Sequence, residues 1–184
     1  DLTYGVHHTP MALIDGINDR LIMMTAATKT FNIAGGHPGN VIIENSESRS
    51  QFSHRTTALG ISPNSFGLHM ATQAYSLEGA IWVDGLMEYL GENKKIFEEG
   101  MNSIPGVNSM PLEATYLAWV DFSNTGMSLE EVIKRVQKKA KIATNHGPTF
   151  GTGGETFLRF NIGMTRTDIL KAVDNMKVAF SDLQ

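Results

Sequence analysis

The chain has 184 residues, 41% of them hydrophobic and 18% charged, which suits one good core or two small lobes and excludes a disordered chain. A formal net charge of -4 without any basic run argues against a nucleic-acid partner. The lack of cysteine excludes disulfides and thiolate metal sites, and no apolar stretch approaches the roughly 20 residues that span a bilayer, so we expect a soluble, cytoplasmic protein.

The opening stretch DLTYGVHHTP reads as a strand end running into a loop, and its start at Asp1 without methionine leads us to expect a portion of a longer protein. Residues 21–24 form an apolar run with the look of a buried strand, and 41–43 form a second β-branched run. Between them lies TAATKTFNIAGGHPG, residues 25–39, which sets one lysine, Lys29, among small residues and hydroxyls. Residues 44–60 are polar with helical character. Ser65 is the expected cap of a long helix, or two in tandem, with apolar positions Phe66, Met70, Ala74 and Leu77 at helical spacing and a break near Gly79. TYLAWVDF predicts a strand. Ser128 and Glu131 have the spacing of a capping pair opening the next helix, whose lysines fall in its last turn. IATNHGPTFGTGGE predicts a glycine-rich loop, TFLRFNIG a strand, and the closing segment a helix capped by Thr165 or Thr167. The second half therefore reads as a compact α+β lobe with a small, largely antiparallel sheet.

Two residues stand out chemically. Lysine with its ordinary pKa of about 10.4 is protonated and non-nucleophilic at neutral pH, so a chemical lysine needs a restricted pocket. Pattern alone leaves Lys29 open between that role and a surface charge. In FLRFNIG, alternation puts Leu158, Phe160 and Ile162 on one face and Arg159 and Asn161 on the other. An arginine within an apolar strand needs a partner, either a bound carboxylate held in a bidentate fork or one of the chain's acids in a structural salt bridge. The six histidines are scattered without ligand spacing, so no metal site is expected. The glycine loops match neither a Walker A nor a dinucleotide fingerprint.

Taken in order, these stretches resemble a known family. The chain is similar to the C-terminal half of a fold-type I pyridoxal-phosphate (PLP) enzyme of the class I and II aminotransferase superfamily. That family carries a small or hydroxyl residue before its Schiff-base lysine, then glycine, arginine and glycine at six, eight and ten positions after it. Here Thr28 precedes Lys29, Gly35 and Gly39 occupy the glycine positions, and His37 stands in place of the arginine. ATKTFNIAG, ATYLAWVDF and GETFLRFNIG resemble the cystathionine beta-lyase (cysteine-S-conjugate beta-lyase) branch more closely.

The resemblance implies the PLP-dependent transferase fold, α/β to α+β. Residues 1–63 would be the end of the large PLP-binding domain, 64–102 linking helices, and 103–184 the C-terminal small domain. It implies PLP as cofactor, Lys29 as the Schiff-base lysine, Thr28 as a phosphate contact and Arg159 as the group binding the α-carboxylate of an amino-acid substrate. Activity would be that of a C–S beta-lyase or an aminotransferase, in a homodimer. Ala26, where many aminotransferases have a phosphate-binding serine, and His37 depart from the standard phosphate cup and fit the lyase branch better. In that branch the aspartate that pairs with the pyridine nitrogen lies upstream of the position of Asp1, so the isolated chain is expected to be inactive. The alternative is a non-catalytic α+β domain, or a fragment that needs another chain for activity.

Overall fold

The computed structural model describes residues 2–183, so Asp1, where the sequence opens, lies outside the described residues. The chain divides into two compact units, one formed by His7–Leu86 and the other by Leu2–Val6 with Met87–Gln184.

In the first unit, β1 (Met23–Thr25) pairs antiparallel with β2 (Asn40–Ile42), Met24 opposite Val41. The strand is shorter than the apolar run predicts and is not buried: Met24 is 73% exposed. Three helices follow: α1 (Ser46–Ala58), α2 (Ser65–Ala74) and α3 (Leu77–Asn102), of which α3 enters the second unit at Met87. The cap of α2 is Asn64 and not the expected Ser65. Its Oδ1 accepts from the Gly67 backbone N–H at 2.7 Å while its Nδ2 donates to the Gly36 carbonyl at 2.7 Å. A Cβ on Gly67 would collide with that same carbonyl, so glycine is required where the two segments meet. The helical break falls at Tyr75 and Ser76, not at Gly79. The Ser76 hydroxyl accepts from the Gly79 N–H at 3.1 Å and restarts the helix, and the missing side chain of Gly79 makes room for the Ala74 carbonyl. The expected apolar face of this helical stretch is open, with Phe66 and Leu77 each 76% exposed.

The second unit holds an antiparallel four-stranded sheet in the order β3-β4-β6-β5, built from β3 (Asn108–Ser109), β4 (Leu117–Asp121), β5 (Asn145–His146) and β6 (Phe157–Asn161). Between β4 and β5 runs α4 (Leu129–Lys134), capped by Ser128, which widens into a π-turn over Arg135–Lys139. That turn carries the adjacent Arg135 and Val136 both inward, which the even 3.6-residue spacing does not predict. The closing helix α5 (Arg166–Ala179) is capped by Thr165, whose hydroxyl accepts from the Asp168 N–H. Alternation gives the sheet two faces. Ala118, Val120, Leu158 and Phe160 are buried in one core with Phe97 and Met101 of α3 and Ile169, Val173 and Met176 of α5. Each such large side chain contributes about 1.5–3 kcal/mol on burial. Trp119, Phe157 and Arg159 occupy the opposite, half-exposed face.

Candidate active site

The segment between β1 and β2 contains the turn that carries Lys29. Amides at Phe31, Asn32 and Ile33 donate to the carbonyls of Ala27, Lys29 and Thr28, closing one compact loop over residues 27–33. Ala27 and Thr30 are buried and anchor it, while Lys29 is exposed and Thr28 half-buried. Asn32 and His37 adopt left-handed backbone (φ 53° and 49°), so the loop bends sharply after the lysine and again before β2. Among the described residues no protein group pairs with the Lys29 amine or the Thr28 hydroxyl. A groove of about 660 Å³ in the same unit is lined by Thr25, Ala26, His37, Gly39, Asn40 and their neighbours; neither Thr28 nor Lys29 lines it.

Arg159 belongs to the other unit. Strand register sets it opposite Trp119 of β4 and Asn145 of β5. Its Nη2 donates to the Asn145 side-chain oxygen at 3.0 Å, and its guanidinium lies 4.5 Å from the centre of the Phe150 ring. Phe150 meets Trp119 edge-on at 5.4 Å, and Trp119 stacks on Phe157 at 5.2 Å. The Arg159 Nε is buried with no hydrogen-bond partner, and no carboxylate among the described residues lies within ion-pair distance. The neighbouring acids are held by local donors: Asp121 by Ser123 and Thr156, and Glu155 by the Gly153 N–H. The structural salt bridge that sequence reasoning kept open for Arg159 is therefore absent here.

Thus Thr28 and Lys29 share one turn, and Arg159 is assembled with Asn145 and Phe150 within a single unit. The last two escaped sequence reasoning because a two-residue strand and a turn leave no periodic signal in NHGPTF. No group of three or more metal-ligating side chains occurs among the described residues, and no helix there is long and apolar enough to cross a membrane.

No protein-family model matches the chain. It is 35% identical over 183 residues to cystathionine beta-lyase PatB of Bacillus subtilis, covering 98% of this chain and 47% of PatB. It is 32% identical over 154 residues to protein MalY of Escherichia coli, covering 82% of this chain and 39% of MalY. The crystal structure of cystalysin from Treponema denticola, which contains a pyridoxal 5'-phosphate cofactor, superposes with a TM-score of 0.90 at 29% identity, over 100% of this chain and 47% of that one. The chain thus spans about half the length of the curated relatives it matches. It has the fold of the PLP-dependent aminotransferases. Its relatives include cystathionine beta-lyases, with aminotransferases among them.

The side chains present fit PLP in their donor chemistry. The Lys29 amine and the Thr28 hydroxyl, consecutive on one turn and without a protein partner among the described residues, are the donor types that an aldehyde carbon and a phosphate take.

Proposed function

We propose that the chain is the C-terminal portion of a cytoplasmic, homodimeric PLP-dependent enzyme acting on amino acids, a C–S beta-lyase of the cystathionine beta-lyase type or an aminotransferase. The observation that carries this reading is Arg159, a half-buried guanidinium with a neutral amide, an aromatic ring and, among the described residues, no carboxylate beside it. Such a group is built to receive an anion. An amino-acid α-carboxylate supplies one, and the bidentate fork fixes the orientation of the neighbouring Cα–H bond.

Lys29 and Thr28 would hold the cofactor, the amine at its aldehyde carbon and the hydroxyl at its phosphate. Bound there, PLP supplies an electron sink conjugated to the substrate α-carbon. Lys29 Nζ would be the base that accepts the Cα proton, and its conjugate acid would pass that proton on, to the departing sulfur in a C–S lyase. Arg159 would bind the substrate α-carboxylate.

The test is reductive trapping. PLP mixed with the chain at equimolar ratio and reduced with borohydride should label Lys29 ahead of the other lysines, as read by peptide mass mapping. Even labelling across the lysines refutes the assigned role. In the whole enzyme, Arg159→Ala should raise KM for amino acids by an amount matching a few kcal/mol, with melting temperature nearly unchanged. A fragment completed by another chain is the second reading. The open apolar side chains of His7–Leu86, Leu13, Phe66, Leu77 and Ile81 among them, favour it.

A further inference from the structure

The neighbours of Arg159 do more than leave it free. We propose that Asn145 is a positioning residue for Arg159: it fixes the guanidinium in place without neutralising it, so that the charge stays available to a carboxylate ligand. The proposal deepens the reading of Arg159 as a carboxylate fork and rests on it.

The geometry is explicit. The β5–β6 register makes Asn145 the cross-strand neighbour of Arg159 on the open face of the sheet. Its Oδ1 takes one of the two Nη2 hydrogens at 3.0 Å. Phe150 covers the guanidinium at 4.5 Å and is itself placed by a short turn over Gly147–Phe150, with Pro148 second in it, that the Thr149 hydroxyl ties to the His146 carbonyl at 2.6 Å. With the ring covering it, the fork offers its in-plane N–H edge to a ligand. Nε is buried and unpartnered, so the cation is partly stripped of water and not repaid by any protein anion. An aspartate at position 145 would reach the same Nη2 with nearly the same shape. It would also satisfy the charge internally and compete with any ligand carboxylate. The difference between asparagine and aspartate is thus the difference between an arginine that is held and one that is spent.

The test uses the full chain labelled with ¹⁵N-arginine, with the Arg159 Nε–H resonance assigned by its loss in Arg159→Lys. Propionate is the probe and propionamide its neutral control. Propionate should move the Arg159 resonance saturably and propionamide should not. Asn145→Asp should weaken propionate roughly five- to tenfold at neutral pH, with an unchanged or raised melting temperature. Asn145→Ser, which keeps a neutral acceptor, should retain most of the affinity. If wild type and Asn145→Asp bind propionate equally, the positioning role is overturned while the Arg159 reading stands. If propionate leaves the wild-type Arg159 resonance unmoved, the carboxylate fork itself fails and the proposal with it. Asn145 is exposed, so neither substitution disturbs the core. Should Asn145→Asp nonetheless unfold, equal weakening of propionate by Asn145→Ser and Asn145→Ala would overturn the proposal, because a retained neutral acceptor would then confer nothing.

Discussion

Asn93 offers a quantitative test of how the strand bearing Arg159 is held. It sits on α3, fully buried. Its Nδ2 donates to the carbonyls of Ile162 at 3.2 Å and Met164 at 2.9 Å, in the connection that leaves β6, and Arg166 Nε approaches its Oδ1 at 3.4 Å. Asn93→Ala deletes both donations and leaves the carbonyls facing a small cavity. A buried polar group left unsatisfied costs about 1–3 kcal/mol. The Ile162 bond is buried and the Met164 bond partly so, which gives a total of about 2–4 kcal/mol. The two tryptophans fall in different units, Trp82 in His7–Leu86 and Trp119 with Asn93 in the other. In a Trp82→Phe background, fluorescence during urea unfolding therefore reports on the unit that contains Asn93. With a urea slope of about 1–3 kcal/mol/M for a small domain, the midpoint should fall by roughly 1–2 M. Asn93→Asp should be at least as damaging at neutral pH, because a carboxylate cannot donate to two carbonyls, and should recover in part on acidification. A midpoint for Asn93→Ala within about 0.2 M of the parent, below the resolution of such a bond network, would falsify this account.

Gly100→Ala places a methyl group against Val173 across the packed helices and should cost about 1–3 kcal/mol; Gly100→Ala with Val173→Ala should be less damaging than the sum of the two changes in the same urea assay. Asp182 forms a two-pronged pair with Arg135, and hydrogen bonding from that guanidinium pulls its carboxyl down to about 2. The folded value lies below the unfolded one of about 3.9, so this stabilisation is present above pH 4 and lost as pH falls toward 2; Asp182→Asn should flatten the acid limb of a melting-temperature profile between those limits. Tyr4, whose hydroxyl donates to the Thr115 carbonyl at 2.8 Å, is pushed up to about 12 by burial and then by the charge of Glu98. Its contribution is present below pH 10 and disappears as pH rises toward 12, so phenolate absorbance should contain a late step near pH 12 that Tyr4→Phe removes.

The features legible in the sequence were those that repeat or carry a cap. Alternation in FLRFNIG separated Arg159 from the buried Leu158 and Phe160, Ser128 announced the helix it begins, and of the two threonines open as caps for the last helix the structure uses Thr165. The small-residue stretch around Lys29 announced a loop between two strands, and the structure has one. Illegible features depended on contacts distant in sequence or on a single extra residue in a turn. Asn64 displaced Ser65 as a cap because its amide could also serve Gly36, 28 residues away. Arg135 turned inward through a π-turn because Glu131, Asp182 and the Ala179 carbonyl receive it there. Asn145 became a neighbour of Arg159 only through strand register, which no local pattern encodes.

The two elements proposed to be functional, the Lys29 turn and Arg159, also differ in what supports them. Every residue of the large buried apolar cluster lies between Phe97 and Phe180, in the unit that carries Arg159. In His7–Leu86 the buried apolar side chains are only Ala27, Ile43 and Ala74, against many large apolar groups left open. A segment with so little burial resists opening weakly, because burial is the main term set against backbone entropy. Arg159, the proposed carboxylate fork, therefore stands on a core of its own, with its orientation set by sheet register, an amide and a ring. The lysine turn is shaped by local hydrogen bonds and left-handed backbone at Asn32 and His37. On the proposed roles, affinity for a carboxylate and reactivity of Lys29 should accordingly be separable properties, the first supported by the core of Met87–Gln184 and the second by the local hydrogen bonds of its turn.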